Sequence, residues 1–200
     1  MSVGGAPTLV GSGSVANHPS APAELEQEER LHTTNGPSDG FVPGEGAAFL
    51  LLGHSRVGER LGLHPIARIN AVGTGHEPGH RHSTQPHLGN GLADAFRILA
   101  SVLPSDFPKV RCVYAGLNGE SFWAKDWGVA YLRNARIFAD EHRIEHPVEN
   151  LGDPGAALGP LLVALAAIGL QRGYRESPAL VWCISDRGDC GAAMLSACQS

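Results

Sequence analysis

Four imidazoles crowd one stretch of this chain, His76, His80, His82 and His87, among Gly, Pro and polar neighbours. A flexible loop that brought three of them together could ligate zinc or nickel. The spacing in His76-Glu-Pro-Gly-His80-Arg-His82 falls on no helix face and matches no zinc motif. The stretch therefore reads as a solvated, His-rich loop, with a metal-binding module as the alternative and no metal set assigned. A second stretch, residues 39–52 (Asp-Gly-Phe-Val-Pro-Gly-Glu-Gly-Ala-Ala-Phe-Leu-Leu-Leu), embeds the carboxylate of Glu45 among Gly40, Gly44 and Gly46. Such glycines permit torsions or close approaches that a side chain forbids, and residues 47–52 predict a strand buried on both faces. If Glu45 is buried with them, it needs Arg, backbone N–H groups or water. Near the end, Ser185-Asp-Arg-Gly-Asp189 concentrates charge in a glycine turn, which reads as an ion pair or a surface turn.

The elements that must position these groups follow from apolar periodicity. Residues 65–73 partly alternate and predict a strand; residues 91–103 place Leu92, Ala95, Phe96, Leu99, Val102 and Leu103 at helical spacing, ended by Pro104. Residues 110–115 predict a strand. Trp127, Tyr131, Ala135 and Phe138 at i, i+4, i+8 and i+11 predict an amphipathic helix over 121–141. Residues 146–148 read as a short strand, 155–170 as a buried helix, and 179–184 as a strand. Residues 1–24, rich in Gly, Ser, Pro and Ala, read as a loosely ordered segment, with a short polar helix over 24–30. This alternation implies an α/β layered domain over residues 25–200 with a parallel or mixed sheet.

Composition excludes several functions. The net charge of −5 and the scattered 15 Lys and Arg residues leave no basic stripe for nucleic acid. The longest apolar run, 155–170, contains Pro160 and falls short of the roughly 20 residues a bilayer span needs. Cys112, Cys183, Cys190 and Cys198 lack metal-site spacing and follow no signal peptide, so reduced thiols in the cytoplasm are the expectation. Cys112 and Cys183 sit in strand-like runs as core fillers, and none of the four sits in the setting of an activated nucleophile.

The segment Gly40-Phe-Val-Pro-Gly-Glu-Gly-Ala-Ala-Phe-Leu-Leu-Leu52 resembles the G-F-x-P-G-E-G-A-A-x-x-L-L signature of β-ketoacyl-acyl-carrier-protein synthases, members of the thiolase-like superfamily. The resemblance implies a layered thiolase-like α/β fold, with one complete C-terminal half and the end of an N-terminal half. It implies acyltransferase chemistry of the 3-oxoacyl-carrier-protein synthase type and no cofactor. In that family a cysteine of the N-terminal half attacks the acyl thioester, and two histidines assist decarboxylation and stabilise an oxyanion.

The family's first histidine belongs to an A-H-G-T-x-T segment with an Asp eight residues further on. Gly116-Leu-Asn-Gly-Glu-Ser121 matches it, with Asp126 eight residues after Asn118. The second lies in a K-S-x-x-G-H-x-x-x-A-A-G type motif. Val148-Glu-Asn-Leu-Gly-Asp-Pro-Gly-Ala-Ala-Leu-Gly159 matches that one, with Asp153 at the histidine, Val148 at the lysine, and Gly152 retained. Asn118 and Asp153 thus occupy the catalytic positions, and Gly44, Glu45, Gly46, Asp126 and Gly152 the structural ones. Asparagine donates a hydrogen bond but carries no proton, and an ionised Asp153 repels both malonyl carboxylate and oxyanion. The family's cysteine-bearing segment lies upstream of what Met1 to Gly5 resembles. The leading expectation is a catalytically incomplete partner or adaptor subunit that forms homo- or hetero-oligomers or meets an acyl carrier protein. The alternative is a condensing enzyme completed by a separate Cys-bearing half.

Overall fold

Ten elements carry the chain in a computed structural model that describes residues 39–198. They are α1 (Ser55–Leu61), β1 (Ala67–His76), α2 (Asn90–Val102), β2 (Val110–Ala115), α3 (Ser121–Arg133), β3 (Phe138–Glu145), α4 (Val148–Leu151), α5 (Leu158–Gln171), β4 (Ala179–Ile184) and β5 (Asp189–Ala197). The expected loose segment over 1–24 and the short helix over 24–30 lie outside the described residues. The strands form one mixed sheet in the order β1-β5-β4-β2-β3. β2 pairs parallel with both β3 and β4, while β5 runs antiparallel to β4 and β1.

Strands covered on both faces need apolar residues at every position. β4 meets that demand and β2 does so beyond the exposed Arg111: Val113, Ala115, Leu180 and Trp182 face one core, and Cys112, Tyr114, Ala179 and Val181 the other. On the first face lie α2 and α3, with Leu92, Phe96 and Leu99 fully buried, each contributing roughly 1.5–3 kcal/mol. On the second face lies α5, through Leu158, Leu162, Ala166 and Leu170.

Three expectations are corrected. Residues 47–52 form no strand: the backbone runs irregularly, with Phe49 98% and Leu51 89% exposed. Burial on both faces needs a sheet to join and a covering layer on each side, and among the described residues the one sheet lies elsewhere. The helix over 121–141 stops at Arg133, because Asn134 turns its amide onto the carbonyls of Ala93 (3.1 Å) and Ala130 (2.9 Å). Phe138 fits the helical period yet sits on β3; its ring joins Phe96, Trp127 and Tyr131 from the strand, so a shared cluster imitated a shared helix. The strand assigned to 146–148 is β3, displaced toward the N-terminus, and Val148 begins the short α4. In addition, α5 is not buried all round, since Ile168 is 40% exposed.

Candidate functional site

The loop from β2 to α3 and the turn ahead of α5 bring Asn118 and Asp153 into contact. Asn118 Nδ2 donates to Asp153 Oδ2 at 2.9 Å and to Glu120 Oε2 at 3.0 Å, while its Oδ1 accepts from the Glu120 N–H at 3.1 Å. Both amide hydrogens are therefore committed to carboxylates. Asp153 Oδ1 accepts from the Gly155 N–H at 2.8 Å, closing the turn that launches α5.

The backbone of Asp153 is held by the glycine signature. Asp153 N donates to Val42 O (2.7 Å) and Gly44 N donates to Asp153 O (2.9 Å), a two-stranded parallel bridge between Pro43 and Asp153. That approach requires glycine on both sides. A Cβ on Gly44 would lie 2.2 Å from the Leu151 carbonyl oxygen, and one on Gly152, at φ +70°, would lie 2.7 Å from the Gly44 Cα. A Cβ on Gly46 would lie 2.9 Å from Leu161 Cδ1 of α5, a side-chain tip that can move. Glu45 itself is exposed, so the buried-carboxylate requirement does not arise.

Glu120, which sequence reasoning passed over, is the centre of the cluster. It is 3% exposed and accepts from Arg81 (2.6 Å), Trp123 Nε1 (2.9 Å) and Asn118. The Arg81 guanidinium lies 4.9 Å over the Phe122 ring as well. Arg81 and Glu120 stand 39 residues apart in sequence, which no local pattern reports. Arg81→Ala is expected to cost about 2 kcal/mol in urea denaturation by leaving a buried carboxylate short of a cation, and Arg81→Ala with Glu120→Gln less than that. An equal loss in single and double variants would contradict it. Asp39 caps α3 from outside, accepting from Ser121 Oγ and Ser121 N, both at 2.6 Å; those bonds hold its carboxyl below the usual range.

Asp126 is buried one turn further along α3 and accepts from His87 Nε2 at 3.0 Å. Burial pushes its carboxyl up, and the hydrogen bond and charge of His87 pull it back only in part. His87 also stacks on Phe122 at 3.9 Å. Within the histidine stretch, His87 serves Asp126 and His76 meets Asp189 at 3.2 Å, while the His80 ring lies 6.2 Å from that of His76 and 6.5 Å from that of His82. Among the described residues, no group of three His, Cys, Asp or Glu side chains is placed to hold a metal ion.

The chemistry open to this cluster is narrow. Two carboxylates flank Asn118, and the Arg81 guanidinium bonds one of them, Glu120. Burial raises the thiols of Cys112 (to about 11), Cys183 and Cys190, the reverse of nucleophile activation. Two grooves, one along β3 and one beside α5, lie away from Asn118 and Asp153. No helix among the described residues is long and apolar enough to cross a membrane.

No family model matches the chain, and no curated protein matches it in sequence. Solved structures do. A structure titled the ishigamide ketosynthase/chain length factor superposes with TM-score 0.73 at 16% identity, covering 88% of this chain and 50% of that one. A type II polyketide acyl-carrier protein in complex with its ketosynthase bound to the hexaketide gives 0.74 at 15%, covering 88% and 52%. A β-ketoacyl synthase from Burkholderia phymatum STM815 gives 0.70 at 18%, covering 90% and 52%. The chain spans about half the length of these proteins. With its five-stranded mixed sheet between a helix pair and α5, the chain has the thiolase-like fold of the ketosynthases.

Proposed function

We propose that this chain is a ketosynthase-like subunit that carries out no acyl condensation itself and works as a partner or adaptor subunit in fatty-acid or polyketide assembly. The observation that carries this reading is the saturation of Asn118. Its two N–H donors are spent on Glu120 and Asp153, so an oxyanion arriving there meets carboxylates rather than donors. The raised thiols support the same reading. Two neighbours are titled as a ketosynthase with a chain length factor and as a ketosynthase with an acyl-carrier protein, which supplies the partner classes: a second ketosynthase-type chain or a carrier protein in the cytoplasm. Incubation with acyl- and malonyl-carrier protein is expected to leave the intact mass unchanged and release no carbon dioxide. An acyl adduct on any cysteine of the chain would overturn the proposal.

One observation favours a second reading, a condensing enzyme completed by a separate Cys-bearing half. Among the described residues, Phe49, Leu51 and Leu52 stand exposed and no strand pairs with them. Reconstitution with such a half decides it. Acyl transfer that falls with Asn118→Ala would establish this reading, and a co-purifying pair without thioester turnover would remove it.

A further inference from the structure

With His87 committed to Asp126, the other three imidazoles of the stretch lie side by side, the His80 ring 6.2 Å from that of His76 and 6.5 Å from that of His82. Arg81 separates His80 from His82 in sequence but turns elsewhere, to Glu120 and the Phe122 ring. Each of the three rings has a feature that suits a metal ligand. His76 and Asp189 are cross-strand partners on β1 and β5, and His76 Nδ1 meets Asp189 Oδ1 at 3.2 Å. A carboxylate on Nδ1 fixes the proton there and leaves the Nε2 lone pair for an ion. His80 Nδ1 is buried without a hydrogen-bond partner among the described residues, a cost that a bound ligand removes. His82 is exposed, so its ring has room to turn. The backbone beneath them is fixed. Glu77 N donates to Gly188 O at 2.8 Å, and a Cβ on Gly188 would lie 3.0 Å from His80 Cβ, so the loop is clamped to the β4–β5 turn that leads into Asp189.

As the side chains stand, no three donors converge on one point among the described residues. The gap to close is small. Nitrogens about 2.0–2.1 Å from a tetrahedral ion put two ring centres about 5 Å apart, so His76 and His82 must each approach His80 by roughly 1–1.5 Å, which rotation about side-chain bonds supplies on a fixed backbone. We propose that His76, His80 and His82 bind one divalent transition-metal ion of the zinc and nickel class, with Asp189 hydrogen-bonded behind His76. Neutral imidazoles suit such ions, whereas calcium and magnesium take oxygen ligands. The ion would join the end of β1 to the loop that follows it, and it takes no part in the partner-subunit reading above.

Calorimetric titration of zinc chloride into the full 200-residue chain, prepared without a histidine tag, tests it. One ion per chain is the expected stoichiometry. His76→Ala, His80→Ala and His82→Ala should each weaken binding by more than about tenfold. His76 and His82 are exposed, so their variants keep the fold, which far-ultraviolet circular dichroism checks, and they carry the test even where His80→Ala does not fold. Asp189→Asn should keep the stoichiometry and lose about tenfold in affinity, because an amide still meets Nδ1 but the charge that raises ligand basicity is gone. His64→Ala, exposed and outside the stretch, should change nothing. The absence of saturable binding at equimolar zinc, or binding that His76→Ala and His82→Ala leave untouched, would overturn the proposal. An equal loss in His64→Ala would overturn it too, as the mark of an adventitious surface ion only. None of these results bears on acyl transfer, so the partner-subunit reading stands or falls separately.

Discussion

Glu77→Ala is expected to lower the melting temperature by about 8–16 °C, the largest loss for any single side chain of the His-rich loop. Glu77 is 2% exposed and accepts four backbone N–H bonds, from Gly79 (3.3 Å), Leu88 (3.2 Å), Asn90 and Gly91 (3.1 Å). The last two belong to the first turn of α2, whose N-cap, Gly89, has no side chain to offer. Glu77 is thus a cap supplied from 13 or 14 residues upstream, with its negative charge at the positive end of the helix. Truncation orphans these donors in a buried setting at about 1–3 kcal/mol each, or about 4 kcal/mol after partial relaxation. Glu77→Gln keeps one acceptor oxygen and should lose about half as much.

The pH dependence separates capping by charge from simple packing. Burial pushes the Glu77 carboxyl up, but the four N–H bonds together outweigh it and hold the group below its ordinary value of 4.5. A carboxylate held below its unfolded value stabilises the fold above that value, and the contribution is lost as pH falls through the folded-state pKa. Melting temperatures of wild type and Glu77→Gln should therefore differ most near neutrality and converge on acidification. Parallel curves down to the acid limit would show that the charge contributes nothing.

Gly152→Ala is expected to open the bridge between residues 43 and 153, at about 3–5 kcal/mol of local stability. Gly152 lies at φ 70° and ψ 173°, a region open to glycine almost alone. The added methyl would also meet the Gly44 Cα at 2.7 Å, so neither neighbour can yield without breaking the two bridge hydrogen bonds. Hydrogen exchange reads this directly. Protection of the Gly44 and Asp153 amides should fall by about a hundredfold or more, while amides of β2 and β4 in the core stay protected. Unchanged protection at Gly44 would mean that the bridge does not depend on glycine at 152. Because Asp153 is Asn118's partner, loss of the bridge should also free one Asn118 donor.

Much of the frame was legible because burial on two faces demands apolar runs that are visible in one dimension. Val110–Ala115, Ala179–Ile184 and the α2 stripe of Leu92, Phe96 and Leu99 are where periodicity places them. β3 was not legible: Phe138–Glu145 is a polar edge strand whose burial does not alternate, and its one large ring packs in helical register with α3 by coincidence of position. The stretch over 47–52 misled for the opposite reason. Its composition states how much apolar surface must be covered, but not whether a covering layer is present.

The candidate site divides along the same line. Sequence by itself determined that Asn118 and Asp153 stand where the resembled family has histidines, and that glycines flank them, since residue identity at a motif position is a one-dimensional fact. Only the tertiary structure decided what those substitutions mean. Asn118 bonds Asp153 across 35 residues, and Arg81 reaches Glu120 across 39, distances at which no spacing rule operates. Whether a donor is free for a ligand or spent on a neighbour depends on which side chains the packed loops bring within about 3 Å, and packing is set by the whole chain at once.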